Sequence, residues 1–183
     1  QGPRPAARAG SRRVSALATR IFRGREAVAA LDPADRGLAY GDGLFETIAV
    51  NAGQPTLLER HLARLAEGCT RLHIPVDLSS VRAQLLAFSQ LVGAGVVKLM
   101  LTRGDGQRGY ALPQPMHPRL ILQAAAKPLY PSAHAEQGVR LFPCTTRLAE
   151  QPLLAGLKHL NRLEQVLARS EWLNSVKLPP SQN

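Results

Sequence analysis

The chain has 183 residues, a hydrophobic content of 45% and a formal charge of +10, enough for one ordinary domain and part of another but not for two full-sized domains. Most of this charge comes from seven arginines within residues 1–25, which include no acid, and removing them from +10 leaves +3. With aromatic residues at only 4% and no apolar run near the ~18 residues of a membrane span, the composition argues against nucleic-acid binding and membrane insertion.

The N-terminal segment is unusually basic. Residues 1–20 are rich in Arg, Ala, Ser and Gly and contain no carboxylate, a composition that buries too little apolar surface to fold by itself. We therefore expect a disordered basic tail there, with an organelle transit segment as the alternative. The folded part is expected to start at residue 21 with a short strand and a loop.

A hairpin and two helices are predicted next. The sequence LFETIAV (44–50) alternates apolar and polar residues, and the turn NAGQ leads into a second apolar run, which is typical of a β-hairpin. Over residues 58–72, apolar side chains recur at steps of three and four, which predicts a helix with one buried face. A second helix is expected over 81–92, capped by Ser79 or Ser80.

The second half is predicted to return to strands and to end in a helix. Residues 95–104 and 119–126 are apolar and β-branched, which favours two strands joined by a long loop containing glycine and proline. Residues 139–148 are expected to form another strand, and 158–173 a final helix. The side chains predicted to face inward on that helix are Leu160, Leu163, Val166, Leu167 and Ser170.

This order of elements predicts an α+β fold with two domains. The first domain, over residues 21–126, is expected to be complete. A linker over 127–137 is expected to lead to the first part of a second domain at 138–173. Residues 174–183 are polar and broken by proline, so we expect a second disordered tail there.

Lys158 is the first candidate for chemistry. The chain has only four lysines, and this one follows apolar residues and a glycine in PLLAGLKHLNRLEQ. Burial of an ammonium group lowers its pKa toward neutrality, which makes the amine a nucleophile for a carbonyl group. The alternative is a solvated lysine at the start of a helix.

Two arginines and a tyrosine are candidates for binding an anion. Arg64, in HLARL on the first helix, could hold a phosphate with its planar guanidinium or simply lie along the helix surface. Arg108 and Tyr110, in TRGDGQRGY, belong to a glycine-containing loop that could bind a carboxylate or be an ordinary solvated tip. Neither GDG segment of the chain matches a phosphate-binding glycine loop.

The two cysteines give no sign of a metal site. Cys69 and Cys144 are far apart in the sequence, so their spacing fits neither a CxxC redox pair nor a zinc site. We expect no metal and two reduced thiols, as is usual for a protein of the cytoplasm.

Three separated stretches together resemble one enzyme family. They are DRGLAYGDGLFETI followed by LLERHLARL, then LTRGDGQRGY, then GLKHLNRLEQVLARSEW. In this order, over residues 35–172, they closely resemble the fold-type-IV pyridoxal-phosphate enzymes, and within them the aminodeoxychorismate lyases. The resemblance implies that family's two-domain fold, a homodimer and pyridoxal 5'-phosphate as the cofactor. It also implies a small-molecule substrate, 4-amino-4-deoxychorismate, converted to 4-aminobenzoate and pyruvate for folate biosynthesis.

The resemblance further implies roles for individual residues. Lys158 corresponds to the lysine that forms a Schiff base with the cofactor and then transfers protons. Arg64 corresponds to the arginine that contacts the cofactor phosphate. The residues implied to contact the substrate or line its cleft are Phe45, Thr47, Arg108 and Tyr110.

Two alternatives to a lyase remain open at this point. D-amino-acid and branched-chain aminotransferases of the same fold share the lysine and the HxxRL arginine. The family's second domain is also longer than residues 138–173, and its glutamate partner for the pyridine nitrogen is expected beyond residue 183. The chain is therefore expected to be C-terminally truncated, and an inactive fragment is the third interpretation.

Overall fold

A computed structural model describes residues 18–177 and shows an antiparallel sheet with two helices on one face. The strands are β1 (Thr19–Arg23), β2 (Glu26–Val28), β3 (Gly43–Asn51), β4 (Gln54–Pro55), β5 (Gly95–Thr102) and β6 (Arg119–Ala125). The helices are α1 (Arg36–Tyr40), α2 (Leu58–Arg71), α3 (Leu78–Val92), α4 (Ala133–Glu136) and α5 (Leu163–Lys177). Across the sheet the strand order is β2-β1-β6-β5-β3-β4, and every pair is antiparallel. The predicted α+β class is confirmed.

The main hydrophobic core lies between the sheet and helices α2 and α3. Side chains alternate between the two faces of a strand, and the helix-covered face carries fully buried residues such as Ile48, Leu99 and Leu122. Leu65 of α2 and Leu85 of α3 pack against them. The other face of the sheet therefore remains available for a site. Within residues 18–177, no helix is both long and apolar enough to cross a membrane.

The second long helix starts earlier than the sequence pattern predicts. α3 begins at Leu78 because Asp77 accepts hydrogen bonds from the backbone N–H groups of Ser79 and Ser80, at 3.0 and 3.1 Å. The two serines predicted as caps are thus the capped residues. Hydrogen bonds from the Ser79 hydroxyl, the Ser80 backbone N–H and Arg25 lower the pKa of Asp77 to about 2, which keeps the cap ionised at ordinary pH.

The sheet also starts earlier in the chain than predicted. β1 begins at Thr19, within the segment 1–20 that was expected to be a tail, and it pairs along its whole length with β6. Gly24, with φ of 58°, makes the turn from β1 into β2. The short strand is stabilised by its place beside a central strand, which local composition does not reveal. Residues 1–17 lie outside the described part of the chain.

The strand predicted over residues 139–148 is wrong, because this stretch forms neither strand nor helix. Its backbone N–H groups at Thr145 and Thr146 donate to the Glu171 carboxylate of α5, at 2.7 and 2.8 Å. A β-strand requires a neighbouring strand to satisfy its backbone. Here the Glu171 side chain of α5 accepts two of the backbone hydrogen bonds that a neighbouring strand would otherwise accept.

The final helix differs from its prediction in extent and in exposure. α5 begins at Leu163 rather than at residue 158, and it continues to Lys177, into the segment 174–183 that was expected to be a tail. Leu163, Val166 and Leu167 were predicted to face inward, but their exposures are 70%, 60% and 50%. The helical spacing is present, yet nothing in the described part of the chain covers that face.

The position of the core can be tested at Leu85, which is fully buried. Leu85→Ala leaves a cavity, and such core substitutions reduce the free energy of unfolding by about 2–5 kcal/mol. We expect a loss in that range in urea denaturation. Leu91→Ala makes the same change on the same helix at a site that is 73% exposed, and it should barely move the midpoint. Equal midpoints for both variants would contradict the packing described above.

Candidate active site

The turn before β3 depends on two glycines. Gly41 ends α1 in the left-handed conformation, with φ of 66°, and a Cβ at this position would collide with the side chain of Asn161. At Gly43 a Cβ would collide with the backbone carbonyl of Leu101 in β5. The two glycines therefore let the beginning of β3 approach both β5 and the chain around Asn161.

Backbone pairing holds Lys158 at this same place. The carbonyl oxygen of Lys158 accepts a hydrogen bond from the N–H of Phe45 at 2.9 Å, and the N–H of Leu160 donates to the carbonyl of Gly43 at 3.0 Å. Residues 158–160 thus form a short antiparallel extension along the edge of β3. The ammonium nitrogen of Lys158 lies 4.3 Å from the centroid of the Phe45 ring.

Two more cations face the same aromatic ring. The guanidinium carbon of Arg162 lies 5.2 Å from the Phe45 centroid, and the ammonium nitrogen of Lys98 lies 5.5 Å from it. Lys98 is directly opposite Thr47 in the β3–β5 register, and both side chains are exposed. Phe45, Thr47 and Lys98 therefore line the face of the sheet that the helices leave open.

The environment of Lys158 favours its neutral amine. Burial lowers the pKa of the ammonium below its usual value, and the negative charge of Glu46 partly opposes this shift. Nearby positive charges lower the pKa further, and they come from Arg64, Arg162 and Lys98. A larger fraction of the amine is therefore unprotonated near neutral pH than in an exposed lysine.

Arg64 is bound to a buried carboxylate. Its Nε and Nη2 donate to Glu46 of β3 at 2.7 and 2.5 Å, and Nδ1 of His61 lies 2.7 Å from the same carboxylate. Burial by itself raises the pKa of Glu46, but the hydrogen bonds from Arg64 and His61 outweigh it and hold this pKa below its usual value. Glu46 is thus an ionised group on the helix-covered face of the sheet.

A second carboxylate, the partly buried Asp42, is shared by two arginines. Arg36 donates from Nε to one oxygen at 2.9 Å. Arg103 donates from Nε and Nη2 to both oxygens, at 2.8 and 3.0 Å. Burial opposes the ionisation of Asp42, but these hydrogen bonds prevail and its pKa lies below the usual value. Both guanidinium groups are almost completely buried.

Arg36 also fastens the loop that carries two of the predicted site residues. Its Nη1 donates to the carbonyls of Gly109 and Ala111 at 3.1 and 3.3 Å, and Nη2 donates to the carbonyl of Tyr110 at 3.4 Å. The Tyr110 ring lies 5.4 Å from that of Tyr40 in α1, centroid to centroid. The backbone of the loop is therefore held, while the Tyr110 side chain remains 84% exposed.

The structure brings some of the predicted site residues together and leaves others apart. A cavity of about 680 Å³ adjoins Lys158 and is lined by Phe45, Lys158, Arg162, Gln165, Val166, Arg169, Ser170 and Leu173. Thr47 shares the sheet face of Phe45. Arg64 instead pairs with Glu46, whose side chain lies on the helix-covered face of the sheet. Arg108 and Tyr110 are exposed and do not line this cavity within the described residues.

The sequence reading overlooked Glu46, Lys98 and Arg162. A signal existed for Glu46, because it occupies a position of inward parity between Leu44 and Ile48 in an alternating strand. A carboxylate at such a position requires a buried partner. Lys98 likewise interrupts an apolar strand. Nothing in the local sequence indicated that Arg162 would reach the ring of Phe45.

These groups fit a ligand that carries a carbonyl and an anionic phosphate. Lys158 offers an amine with a lowered pKa, Phe45 offers a flat ring face, and Arg64 offers a guanidinium for an anion. A metal-centred alternative has no support in residues 18–177, which contain no group of three or more His, Cys, Asp or Glu arranged to hold an ion.

Comparison with known proteins points in the same direction. The family model described as amino-transferase class IV matches residues 43–175. An aminodeoxychorismate lyase from Vibrio harveyi is 38% identical over 138 residues, which cover 75% of this chain and 51% of the relative. A D-alanine aminotransferase from Listeria monocytogenes is 28% identical over 148 residues, covering 78% of this chain and 50% of the relative. The chain thus spans about half the length of these curated relatives.

A solved structure shows the same relationship. The crystal structure of 4-amino-4-deoxychorismate lyase from Pseudomonas aeruginosa superposes with a TM-score of 0.79 at 64% sequence identity. The match covers 83% of this chain and 56% of that one. The fold predicted from the motifs is therefore confirmed.

The shared carboxylate can be tested by acid titration. Because the folded-state pKa of Asp42 is depressed, its stabilisation is fully present above the unfolded value of about 3.9 and is lost as pH falls through the folded-state pKa. Asp42→Asn leaves two buried arginines without their anion, which should cost about 3–5 kcal/mol at pH 7. Urea denaturation from pH 7 to pH 2 should also show a shallower acid slope in the variant.

The matched control for this titration is Asp32→Asn. Asp32 is exposed, and its carboxylate accepts a hydrogen bond from the backbone N–H of Ala34, a role that an asparagine oxygen can take over. This variant should retain the stability and the acid slope of the original chain. An Asp42→Asn protein with unchanged stability would show that the two-arginine cluster contributes nothing.

Proposed function

Because the chain belongs to the aminotransferase class IV family, we propose that it acts in the conversion of 4-amino-4-deoxychorismate to 4-aminobenzoate and pyruvate. The observation that carries this proposal is the placement of Lys158, with its lowered pKa, against Phe45 at the beginning of β3. The 64% identity to the Pseudomonas aeruginosa lyase supports the lyase reaction in particular. Production of 4-aminobenzoate would belong to folate biosynthesis.

The proposed cofactor is pyridoxal 5'-phosphate. When bound, it supplies an electron-withdrawing ring that stabilises negative charge on the substrate carbon next to the amine. Lys158 would hold the cofactor covalently through Nζ between turnovers. Arg64 would bind the phosphate with its guanidinium, whose bonds to Glu46 keep it in a fixed orientation.

Proton transfer in the reaction is assigned to Lys158. Released from the cofactor, the Nζ amine would remove the proton from the ring carbon that bears the substrate's amine. The adjacent carbon–oxygen bond then breaks, and the departing enolpyruvyl group takes up a proton at its methylene carbon to become pyruvate. Loss of the proton and of the enolpyruvyl group makes the substrate ring aromatic, and this elimination requires no oxidant. The protein therefore needs to position the substrate and to transfer protons.

Substrate binding is assigned to the open face of the sheet and to the loop before β6. Phe45 and Thr47 would line the substrate side, and Arg108 with Tyr110 would contact a substrate carboxylate. The hydrogen bonds from Arg36 to the loop backbone support this role, because they fix the carbonyls around Tyr110 and leave the side chains exposed.

Lys158→Ala provides the direct test of the cofactor site. Mixed with pyridoxal phosphate, the original chain should develop a visible absorbance band, and borohydride should fix an adduct on Lys158 that peptide mass mapping locates. Lys158→Ala should show neither signal. Lys127→Ala, which removes an exposed lysine in the predicted linker, should behave like the original chain.

The products decide among the three candidate functions. Release of 4-aminobenzoate and pyruvate from 4-amino-4-deoxychorismate, abolished by Lys158→Ala, is the expected result. Transfer of an amino group to a keto acid without 4-aminobenzoate would favour an aminotransferase. The 28% identity with the Listeria D-alanine aminotransferase is the observation that supports this alternative. A chain that forms the borohydride adduct but releases neither product would be an inactive fragment.

We further propose a homodimer that functions in the cytoplasm. Around the loop, Leu38, Tyr110 and Leu112 are 68%, 84% and 45% exposed, an apolar surface that a second copy could cover. The cysteines are unpaired, Cys69 buried and Cys144 exposed, which suits a reducing compartment. Light scattering on the purified chain should give twice the monomer mass of 19.8 kDa, and a monomer mass at micromolar concentration would refute the dimer.

A further inference from the structure

Glu46 is a buried carboxylate to which the motifs assign no role. We propose that Glu46 is a positioning residue, which holds the Arg64 guanidinium in the orientation that binds the phosphate of the cofactor. This inference rests on the proposed function, because it presupposes that Arg64 meets a phosphate. It adds a second residue on whose geometry phosphate binding depends.

The hydrogen bonds between Arg64 and Glu46 fix the orientation of the guanidinium group. The two Glu46 oxygens accept from Nε and Nη2 of Arg64, which is the two-pronged pairing that fixes a guanidinium in one plane. Nη1 of Arg64 makes no hydrogen bond to residues 18–173, and the arginine side chain is 48% exposed. The pairing therefore leaves one donor edge available for an external anion.

The position of the carboxylate is itself fixed. Glu46 is 1% exposed and lies in the middle of β3, opposite Leu99 of β5. His61, one turn before Arg64 on α2, contacts the same carboxylate and is 15% exposed. A carboxylate held between two side chains of one helix has little freedom, so it can transmit the rigidity of the strand to the partly exposed arginine.

A burial cost accompanies this arrangement. The neighbouring inward residues of β3, Leu44 and Ile48, belong to the apolar core, where an ionised carboxylate is expensive to desolvate. An apolar side chain would join α2 to β3 without that cost. What an apolar side chain could not supply is a directional acceptor for Arg64. Glu46 also acts electrostatically on Lys158, whose lowered pKa it partly restores, although its side chain lies on the helix-covered face of the sheet.

Glu46→Gln tests the inference through the phosphate group. Affinities of the full chain for pyridoxal phosphate and for pyridoxal, which lacks the phosphate, are measured by the visible band. Loss of the fixed fork should weaken the binding of pyridoxal phosphate by about ten- to a hundredfold, the value of a hydrogen bond to a charged group. Loss of the Glu46 charge also changes the pKa of Lys158, but this acts on both ligands alike, so the affinity for pyridoxal should not show a comparable loss.

Two further variants complete the design. Arg64→Lys keeps the positive charge but loses the planar fork, and because this side chain is half exposed it should fold normally and show the same phosphate-selective loss. Glu59→Gln is the matched control, since Glu59 on α2 forms a two-pronged pair with Arg82 of α3 away from the site. It should change neither affinity.

A cofactor-free measurement separates the inference from the proposed function. In the original chain labelled with ¹⁵N-arginine, the guanidinium signals of Arg64 should show hindered rotation, and Glu46→Gln should abolish this. Freely rotating signals in the original chain, or equal losses for pyridoxal phosphate and pyridoxal, would overturn the positioning role. A hindered Arg64 in a chain that binds no pyridoxal phosphate would instead overturn the proposed function, and with it the assignment of the anion.

Discussion

The hydrogen bonds between residues 158–160 and the first residues of β3 hold the candidate site together. They join a segment far along the chain to the edge of a strand whose own position is fixed by pairing with β5. Because backbone pairing sets the register, the Lys158 side chain is delivered to the face that carries Phe45. The glycines at 41 and 43 make this approach possible, since a Cβ at either position would occupy the space that the neighbouring chain needs.

Charge in the site follows from one buried and one partly buried carboxylate and from an excess of arginine and lysine around them. Asp42 and Glu46 are both ionised by arginine partners despite their burial. Arg36 and Arg103 are neutralised in the interior by Asp42, and Arg64, paired with Glu46, is half exposed. The cations that face the Phe45 ring lack such a carboxylate partner among the described residues. The result is a surface that favours anions on the open face of the sheet and an internal set of ion pairs beneath it. This separation suits a phosphorylated cofactor and a carboxylate substrate.

Local sequence patterns predicted the parts of the fold whose causes are local. The hairpin of β3 and β4 and the helix α2 follow from side-chain periodicity and turn residues, and they lie close to their expected ranges. The strand predicted over 139–148 did not form, because the composition could not show whether a neighbouring strand would be present. The exposed apolar face of α5 has the same cause, since helical spacing predicts a face without identifying what packs on it.

The residues of the candidate site also differ in whether the local sequence reveals them. Lys158 and Arg64 could be chosen from residue type and motif, since each stands in a distinctive stretch. Arg36 and Arg103 could not, because they matter through their shared contact with Asp42, which lies 6 residues from Arg36 but 61 from Arg103. Glu46 is intermediate between these cases. Its inward parity in β3 was visible in the sequence, but its partners on α2 became evident only when the helix was packed against the sheet.

The open and the helix-covered faces of the sheet differ in how substitutions on them affect the hydrophobic core. Phe45, Thr47 and Lys98 lie on the open face, so changes to them leave the packing between the sheet and α2 and α3 intact. Glu46 is different, because its backbone belongs to the same strand while its side chain crosses to the helix-covered face. It is the residue through which the packing of α2 can influence the orientation of Arg64. A substitution in the core near α2 can therefore shift the Arg64 guanidinium without touching the open face.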